Sequence, residues 1–242
     1  MTGHELLYRC LWWFLPVHYL KVRRMLLELC NGPYAKSLLD VGGRKSPYTI
    51  GVNCRVSIVD LPRESEVQKQ LGLGLSDQIL ADLRRRRSNI ESVRFEDITQ
   101  TTYEDQTFDL AASVEVIEHV PDDSAYVRQI YRVLKPGGTF ILTTPNGETK
   151  PVTNPDHLRH YTREQLEQKL RESFQEVRVF YGVRQGFVHR QALKSWVPHL
   201  RQPITFLMAP WYMMWCLLAN LIEGDSSADA KGTNQLFAVA RK

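Results

Sequence analysis

The six residues Leu38-Leu39-Asp40-Val41-Gly42-Gly43 constrain the fold of this chain more than any other stretch. Apolar residues around a single aspartate, followed at once by paired glycines, read as a buried parallel strand running into a tight turn. A carboxylate in such a strand is costly unless it is hydrogen-bonded, so Asp40 is expected to brace the loop behind it. Gly42 and Gly43 let a ligand approach the backbone at the carboxyl end of the strand. Asp60 gives this reading its weight. It ends the next apolar run, Val56-Ser57-Ile58-Val59-Asp60. An acid at the tip of the second strand, about 20 residues on, is where nucleotide-binding sheets grip ribose hydroxyls.

The rest of the chain alternates strands with helices. Strand one is expected over 37–42 and strand two over 55–60. Only about a dozen residues separate them, so the crossover after Arg44-Lys45-Ser46-Pro47 must be short or irregular. Residues 62–75 read as a helix fraying at Leu71-Gly72-Leu73-Gly74-Leu75, where no strand leads in and the glycine spacing is wrong for a phosphate loop. Arg84 to Arg87 read as a solvated face. Val93 to Ile98 alternates like a third strand, and Phe108 to Val114 is a nearly apolar fourth, as a central parallel strand should be. Asp122-Asp123-Ser124 caps a helix through Leu134, Lys135-Pro136-Gly137-Gly138 is a turn, and Thr139 to Thr144 is the fifth strand. Thr162 and Gln165 open a helix over 163–173, and Val177 to Tyr181 is the sixth strand. The alternation predicts a doubly wound α/β sheet.

A length of 242 residues allows one large domain or one domain with a cap. The net charge of +4 suits an anionic substrate or a membrane surface, but is too small to argue for nucleic acid. Cys10, Cys30, Cys54 and Cys216 lie far apart without metal-type spacing, which predicts no disulfide framework and a reducing, cytoplasmic compartment. Leu11 to Leu15 is apolar, but Pro16, His18 and Lys21 interrupt it too early for a span, and nothing reads as a cleavable signal.

Several motifs, in order and spacing, resemble class I S-adenosylmethionine-dependent methyltransferases. They are Leu-Leu-Asp-Val-Gly at 38–42, Asp60, Asp97-Ile98, the 109–121 block with its Glu-His-Val-Pro, and Val-Leu-Lys-Pro-Gly-Gly at 133–138. The resemblance covers about residues 36–182, with Gln235 to Ala240 as the last strand. It implies a seven-stranded Rossmann-like sheet whose final strand is antiparallel, formed by 34–182 and 233–242. Residues 1–33 and 183–232 would then be an amphipathic helical segment and an apolar insertion that together cap it. It further implies that Asp40, Gly42 and Gly43 shape the loop under the methionine part of the cofactor, S-adenosylmethionine. Asp60, with Leu61 beside it, would take the ribose hydroxyls; Asp97 and Ile98 would face the adenine; Ser113, Val114 and Glu115 would lie beside the methionine end. One departure stands out: Arg44 and Ser46 fill the family's second and third glycine places. Arg44 or Lys45 could then pair with the cofactor's carboxylate or with an acidic substrate.

The methyl donor is an activated sulfonium, so the protein need only align a nucleophile and exclude water. A hydroxyl or amine acceptor must lose a proton, and His119, His157 and His160 are the candidate bases. Glu115-x-x-Glu118-His119 also resembles the magnesium-binding pattern of ubiquinone-pathway O-methyltransferases and small-RNA 2′-O-methyltransferases, which implies Glu115, Glu118 and His119 as metal ligands.

Residues 4–30 read as one or two amphipathic helices broken near Pro16 and stopped by Asn31-Gly32-Pro33. Ile204 to Ile222 has almost no polar side chain, yet Pro210 breaks it and the chain must return to the sheet through a flexible link, Glu223 to Gly232. The expectation is an apolar cap formed with 4–30 at the mouth of the site, or peripheral membrane contact through 204–222. The implied function is methyl transfer to an oxygen or nitrogen of a small, apolar or lipid-linked acceptor: a natural product, a quinone-like molecule or a glycan precursor. RNA methylation is the alternative raised by the arginine run, without any separate RNA-binding module. A non-catalytic cofactor-binding scaffold is the alternative the altered glycine loop permits.

Overall fold

The computed structural model describes residues 1–61, 75–184, 186–192, 208–223 and 232–242. In chain order, α1 (Gly3–Leu11), a 3-10 turn (Trp12–Phe14) and α2 (Val17–Leu29) lead into β1 (Lys36–Val41) and β2 (Cys54–Asp60). Next come α3 (Leu75–Arg86), β3 (Ile90–Phe95), β4 (Phe108–Val114), α4 (Asp123–Val133) and β5 (Leu134–Pro145). The chain closes with α5 (Arg163–Arg171), β6 (Glu176–Arg184), α6 (Phe187–Ala192), α7 (Met208–Glu223) and β7 (Thr233–Arg241). The seven strands form one sheet in the order β3-β2-β1-β4-β5-β7-β6. All pairs are parallel except those of β7, which runs antiparallel between β5 and β6. The order reverses between β1 and β4, so their carboxyl ends frame a crevice.

Helices cover both faces because the central strands are apolar on both sides. On one face α4 is capped by Asp122, whose carboxylate accepts from the Ala125 N–H at 2.8 Å, and it buries Tyr126, Val127, Ile130 and Val133. That is one helical stripe. Each such side chain stabilises the layer by about 1.5–3 kcal/mol. On α5, Thr162 and Gln165 form the expected capping box. On the other face α2 packs Val17, Val22 and Leu26 against Leu38, Val56 and Ile58. Helix α7 joins this layer, fastened by Asn220, whose Nδ2 donates to the Trp13 and Leu15 carbonyls at 2.8 Å each. No described helix is long and apolar enough to cross a membrane.

Several expectations are corrected. The third strand is 90–95, not 93–98, because Asp97 leaves it to accept from the Thr99 N–H at 2.8 Å and cap a 3-10 turn. The Lys-Pro-Gly-Gly turn is drawn into β5: the Gly137 N–H donates to the Lys242 carbonyl, and the Lys242 N–H to that of Gly138. Arg87 does not belong to a solvated face; it is 3% exposed. Cys30 and Cys54, expected to stay reduced, form a disulfide, since the residue that caps the end of α2 is brought to the start of β2. All of the expected 62–75 helix but Leu75, and most of the 223–232 link, lie outside the described residues.

The loop after β1 shows why Asp40 is tolerated. Its carboxylate is fully buried and accepts from Tyr48 Oη at 2.6 Å, Thr49 Oγ1 at 2.9 Å and Ser46 Oγ at 3.5 Å. Arg87 completes the cluster by donating to Thr49 Oγ1 at 2.6 Å. Burial pushes the Asp40 carboxyl up to about 6, against the opposing pull of Tyr48, Arg87 and the other donors. From outside, Arg23 of α2 donates to the Tyr48 and Ile50 carbonyls, and Asn89 to those of Thr49 and Val52. Gly42 sits at φ 70°, and a Cβ on Gly43 would stand 2.1 Å from Asp40 Cγ. Gly43→Ala must therefore push the carboxylate off its donors. We expect a loss of about 2–3 kcal/mol, read as a lower denaturant midpoint at unchanged m-value; a wild-type midpoint would show that this contact does not hold the loop.

Candidate active site

A cavity of about 400 Å³ opens at the carboxyl ends of β1, β2 and β4, within the size range of small-ligand sites. Its lining comes in short runs from successive loops: Val41, Gly42 and Arg44; Val59 to Leu61; Glu96 to Ile98; Val114 to Val116; His119 to Pro121; and Asp156. Parallel register delivers these runs together, since Val41 lies beside Val59 and Ser113 in the neighbouring strands. Arg44 sits where a glycine was expected. Its Nε lies 3.8 Å from Asp60 Oδ2, and its guanidinium is 6.0 Å from the centre of the Phe95 ring.

Glu115 ends β4 at φ 57°, a left-handed conformation that costs a non-glycine residue on the order of 1–3 kcal/mol. Its Oε1 accepts from Gln235 Nε2 of β7 at 3.1 Å. Three residues on, Glu118 is fully buried: one oxygen accepts from Thr144 Oγ1 at 3.1 Å, and Oε1 has no hydrogen-bond partner among the described residues. Burial raises both carboxyls above the usual range, and for Glu118 the charge of Glu115 adds to it. Lys150 opposes both shifts with its cation, while its own burial lowers its ammonium. Each carboxyl is therefore harder to ionise than a solvated one.

The segment after β5 brings the histidines in. The Leu158 N–H donates to the Glu118 carbonyl at 2.8 Å, and Arg159 donates to the Val120 and Pro121 carbonyls while pairing with Asp123 at 2.9 Å. His119 and His157 then meet edge to face, ring centres 4.6 Å apart. Carbonyls only accept, so His160 donates Nδ1–H to the Lys150 carbonyl, and His119 donates Nδ1–H to that of Asp156. His157 Nδ1 lies 2.7 Å from His160 Nε2. With His160 Nδ1 already a donor, neutral rings make His157 the donor here and leave Nε2 as the basic atom of both His119 and His157. Burial, then the neighbouring imidazoles, keep the His157 pKa low. One ligand atom from each of Glu118, His119 and His157 lies within 4.8 Å of the others.

The sequence-derived candidates divide accordingly. Gly42, Asp60, Leu61, Asp97, Ile98, Val114, Glu115 and His119 line the cavity. Asp40 and Gly43 stand behind it, and Ser113 points away, its Oγ accepting from Tyr126 Oη at 2.6 Å. His157 and His160 form the relay beside it. In the converging triad His157 takes the place expected for Glu115. Asp156 and Lys150 went unread as site residues: neither lies at a strand end, though Asp156 belongs to the His-rich run after strand five. The described residues of α1, α2 and α7 contribute nothing to the lining.

A family model described as a methyltransferase domain matches residues 57–142, the stretch that supplies most of this lining. These residues carry the match to a methyltransferase domain, and the seven-stranded sheet that contains them has the class I methyltransferase fold. A protein of Mycolicibacterium smegmatis named "Probable S-adenosylmethionine-dependent methyltransferase" is 30% identical over 125 residues, which are 49% of this chain and 48% of that protein. The ubiquinone biosynthesis O-methyltransferase of Sodalis glossinidius is 30% identical over 152 residues, 57% of this chain and 56% of that one. The chain thus spans about half the length of these relatives. Among solved structures, the 1,6-didemethyltoxoflavin-N1-methyltransferase of Burkholderia thailandensis superposes with a TM-score of 0.55 at 17% identity, over 94% of this chain and 79% of that one, a likeness of fold.

Asp60, expected to take the ribose hydroxyls, lines the cavity at the end of β2. Asp60→Ala should remove charged hydrogen bonds worth about 2–3 kcal/mol, weakening S-adenosylmethionine roughly 30- to 150-fold in a calorimetric titration. Wild-type affinity in that variant would remove Asp60 from the cofactor site.

Proposed function

We propose that this chain transfers the methyl group of S-adenosylmethionine to an oxygen or nitrogen of a small, apolar or lipid-linked acceptor. The observation that carries this reading is the convergence of buried Glu118 with His119 and His157 beside a cavity lined by Glu115 and His119. In the transfer, the acceptor's lone pair forms the new bond to the methyl carbon. The carbon–sulfur bond breaks with its electrons passing to sulfur, and the acceptor's proton goes to a base. A carboxylate raised towards neutrality, or the Nε2 of His119 or His157, meets that need. The apolar rim of Val114, Val116, Val120 and Pro121 supports an apolar acceptor and excludes water from the alkylation. The likeness to a ubiquinone biosynthesis O-methyltransferase supports oxygen as the acceptor atom.

The same donors fit a divalent ion. Glu118 Oε1 has no hydrogen-bond partner among the described residues, and one carboxylate with two imidazoles suits magnesium, manganese or zinc. Glu118, His119 and His157 would hold it, and when bound it would lower the pKa of an acceptor hydroxyl.

Labelled S-adenosylmethionine offered with a panel of phenols, catechols and amines tests the reading. Glu118→Gln keeps the size of the side chain and removes its charge. It should lower kcat by about 100-fold or more while leaving cofactor affinity within about twofold. Chelator should lower the wild-type rate, and added divalent ion should restore it, if the triad holds metal; full turnover in chelator makes it a base cluster alone. Cofactor binding without transfer to any acceptor would favour a scaffold.

A further inference from the structure

Helix α7 is sorted the wrong way round for a surface helix. Its inner side carries Ala209, Cys216, Ala219 and Asn220, all buried. Its outer side carries Met208, Trp211, Met214, Leu218, Leu221 and Ile222, exposed by 36–63%. A helix on a water-facing surface turns polar residues outward. Here no charged residue occurs from Met208 to Ile222. Small residues inside let the helix lie close on the 3-10 turn and α6, and the large apolar groups remain outside.

The apolar face extends beyond the helix. Phe187 of α6 is 58% exposed and meets Trp215 edge-on at 5.3 Å. Trp13 is 39% exposed at the other end, beside Asn220, with the Arg24 guanidinium 5.4 Å from its ring centre. On the elements around this face basic residues outnumber acids. Arg9 and Arg190 are exposed, and Arg190, three residues from Phe187, shares its side of α6. The acids of α1, the 3-10 turn, α6 and α7 are Glu5, buried under Ser88, and Glu223 at the end of α7. On α2 the one acid is Glu28.

We propose that this face docks on the surface of an anionic lipid bilayer, with α7 lying in the plane of the interface. Tryptophan, leucine and methionine beneath a cationic rim match the two attractions such a surface offers, acyl-chain contact and anionic headgroups. Sixteen residues make a helix of about 24 Å, short of the roughly 30 Å hydrocarbon layer, so it lies along the surface and does not span it. A second copy of the chain fits less well, because a twofold pairing would set the arginine rims of both copies together. The docking layer is continuous with α2, whose Arg23 holds the Tyr48–Ile50 backbone of the loop behind the cavity. The docking surface stands whether or not the methyl-transfer reading does.

Flotation with vesicles tests it directly. The chain should float with phosphatidylcholine vesicles containing phosphatidylglycerol, float less at high salt, and float least with phosphatidylcholine alone. Arg9→Gln with Arg190→Gln should weaken partitioning about 30-fold. Trp211→Asp with Leu218→Asp should abolish it while the thermal unfolding transition remains. Should that pair fail to fold, brominated acyl chains serve instead: they should quench wild-type tryptophan fluorescence, and Trp211→Phe should remove part of the quenched signal. Absence of flotation with anionic vesicles overturns the proposal, as does flotation that survives both charge and apolar variants. Concentration-dependent dimerisation lost in the Asp pair, without vesicle binding, would give the face to a second copy.

Discussion

The structure depends on one buried carboxylate. Asp40 stands near the carboxyl end of β1, an interior strand, with no access to water, where an unpaired charge would cost several kcal/mol. Three hydroxyls and the Arg87 behind them offset that cost, and all three hydroxyls come from the loop the strand runs into. The loop is thus folded around its own strand. That leaves Gly42 facing the cavity, seats Gly43 against the carboxylate, and turns Arg44 towards Asp60. The same anchoring reaches the N-terminus, because Arg23 holds the loop's carbonyls and Glu5 accepts from the Ser88 N–H and hydroxyl. Helices that look like appendages in the sequence are therefore part of the wall behind the site.

This organisation explains how the chain departs from the family's glycine pattern without losing the pocket. Extra glycines are one way to keep a loop low and open. Pinning the loop from beneath is another, and it tolerates an arginine at the rim. The price is a set of buried polar groups that must all be satisfied together. The histidine end of the cavity works under the same constraint in reverse. Among the described residues Glu118 keeps one oxygen without a partner, and Glu115 holds a left-handed backbone, both where the cavity meets the histidines. Strain and unsatisfied charge collect at the site and are absorbed by the packed sheet around it.

What was legible in the sequence was the part written in local patterns. An apolar run into paired glycines located β1, and apolar runs leading to acids located β2 and β4, and with them Asp60 and Glu115. Capping residues located α4 and α5. Facing could not be read from an unbroken apolar strand, which has no alternation to orient it, so Ser113 looked like a site residue although its hydroxyl belongs to Tyr126. The meeting of His157 with His119 depends on Arg159 stapling one loop to another, a contact between residues 39 apart. Arg87 and the Cys30–Cys54 pair were hidden for the same reason: each is defined by a partner distant in sequence. The outward face of α7 was invisible because an all-apolar run does not say which side it buries.

The most direct test of this account is a crystal structure of the chain with S-adenosylhomocysteine. The account predicts the ribose hydroxyls on Asp60, the adenine beside Asp97 and Ile98, and the sulfur close to Glu115, with Arg44 displaced from Asp60. Product bound away from the ends of β1, β2 and β4, or a ribose that leaves Asp60 paired with Arg44, would contradict it.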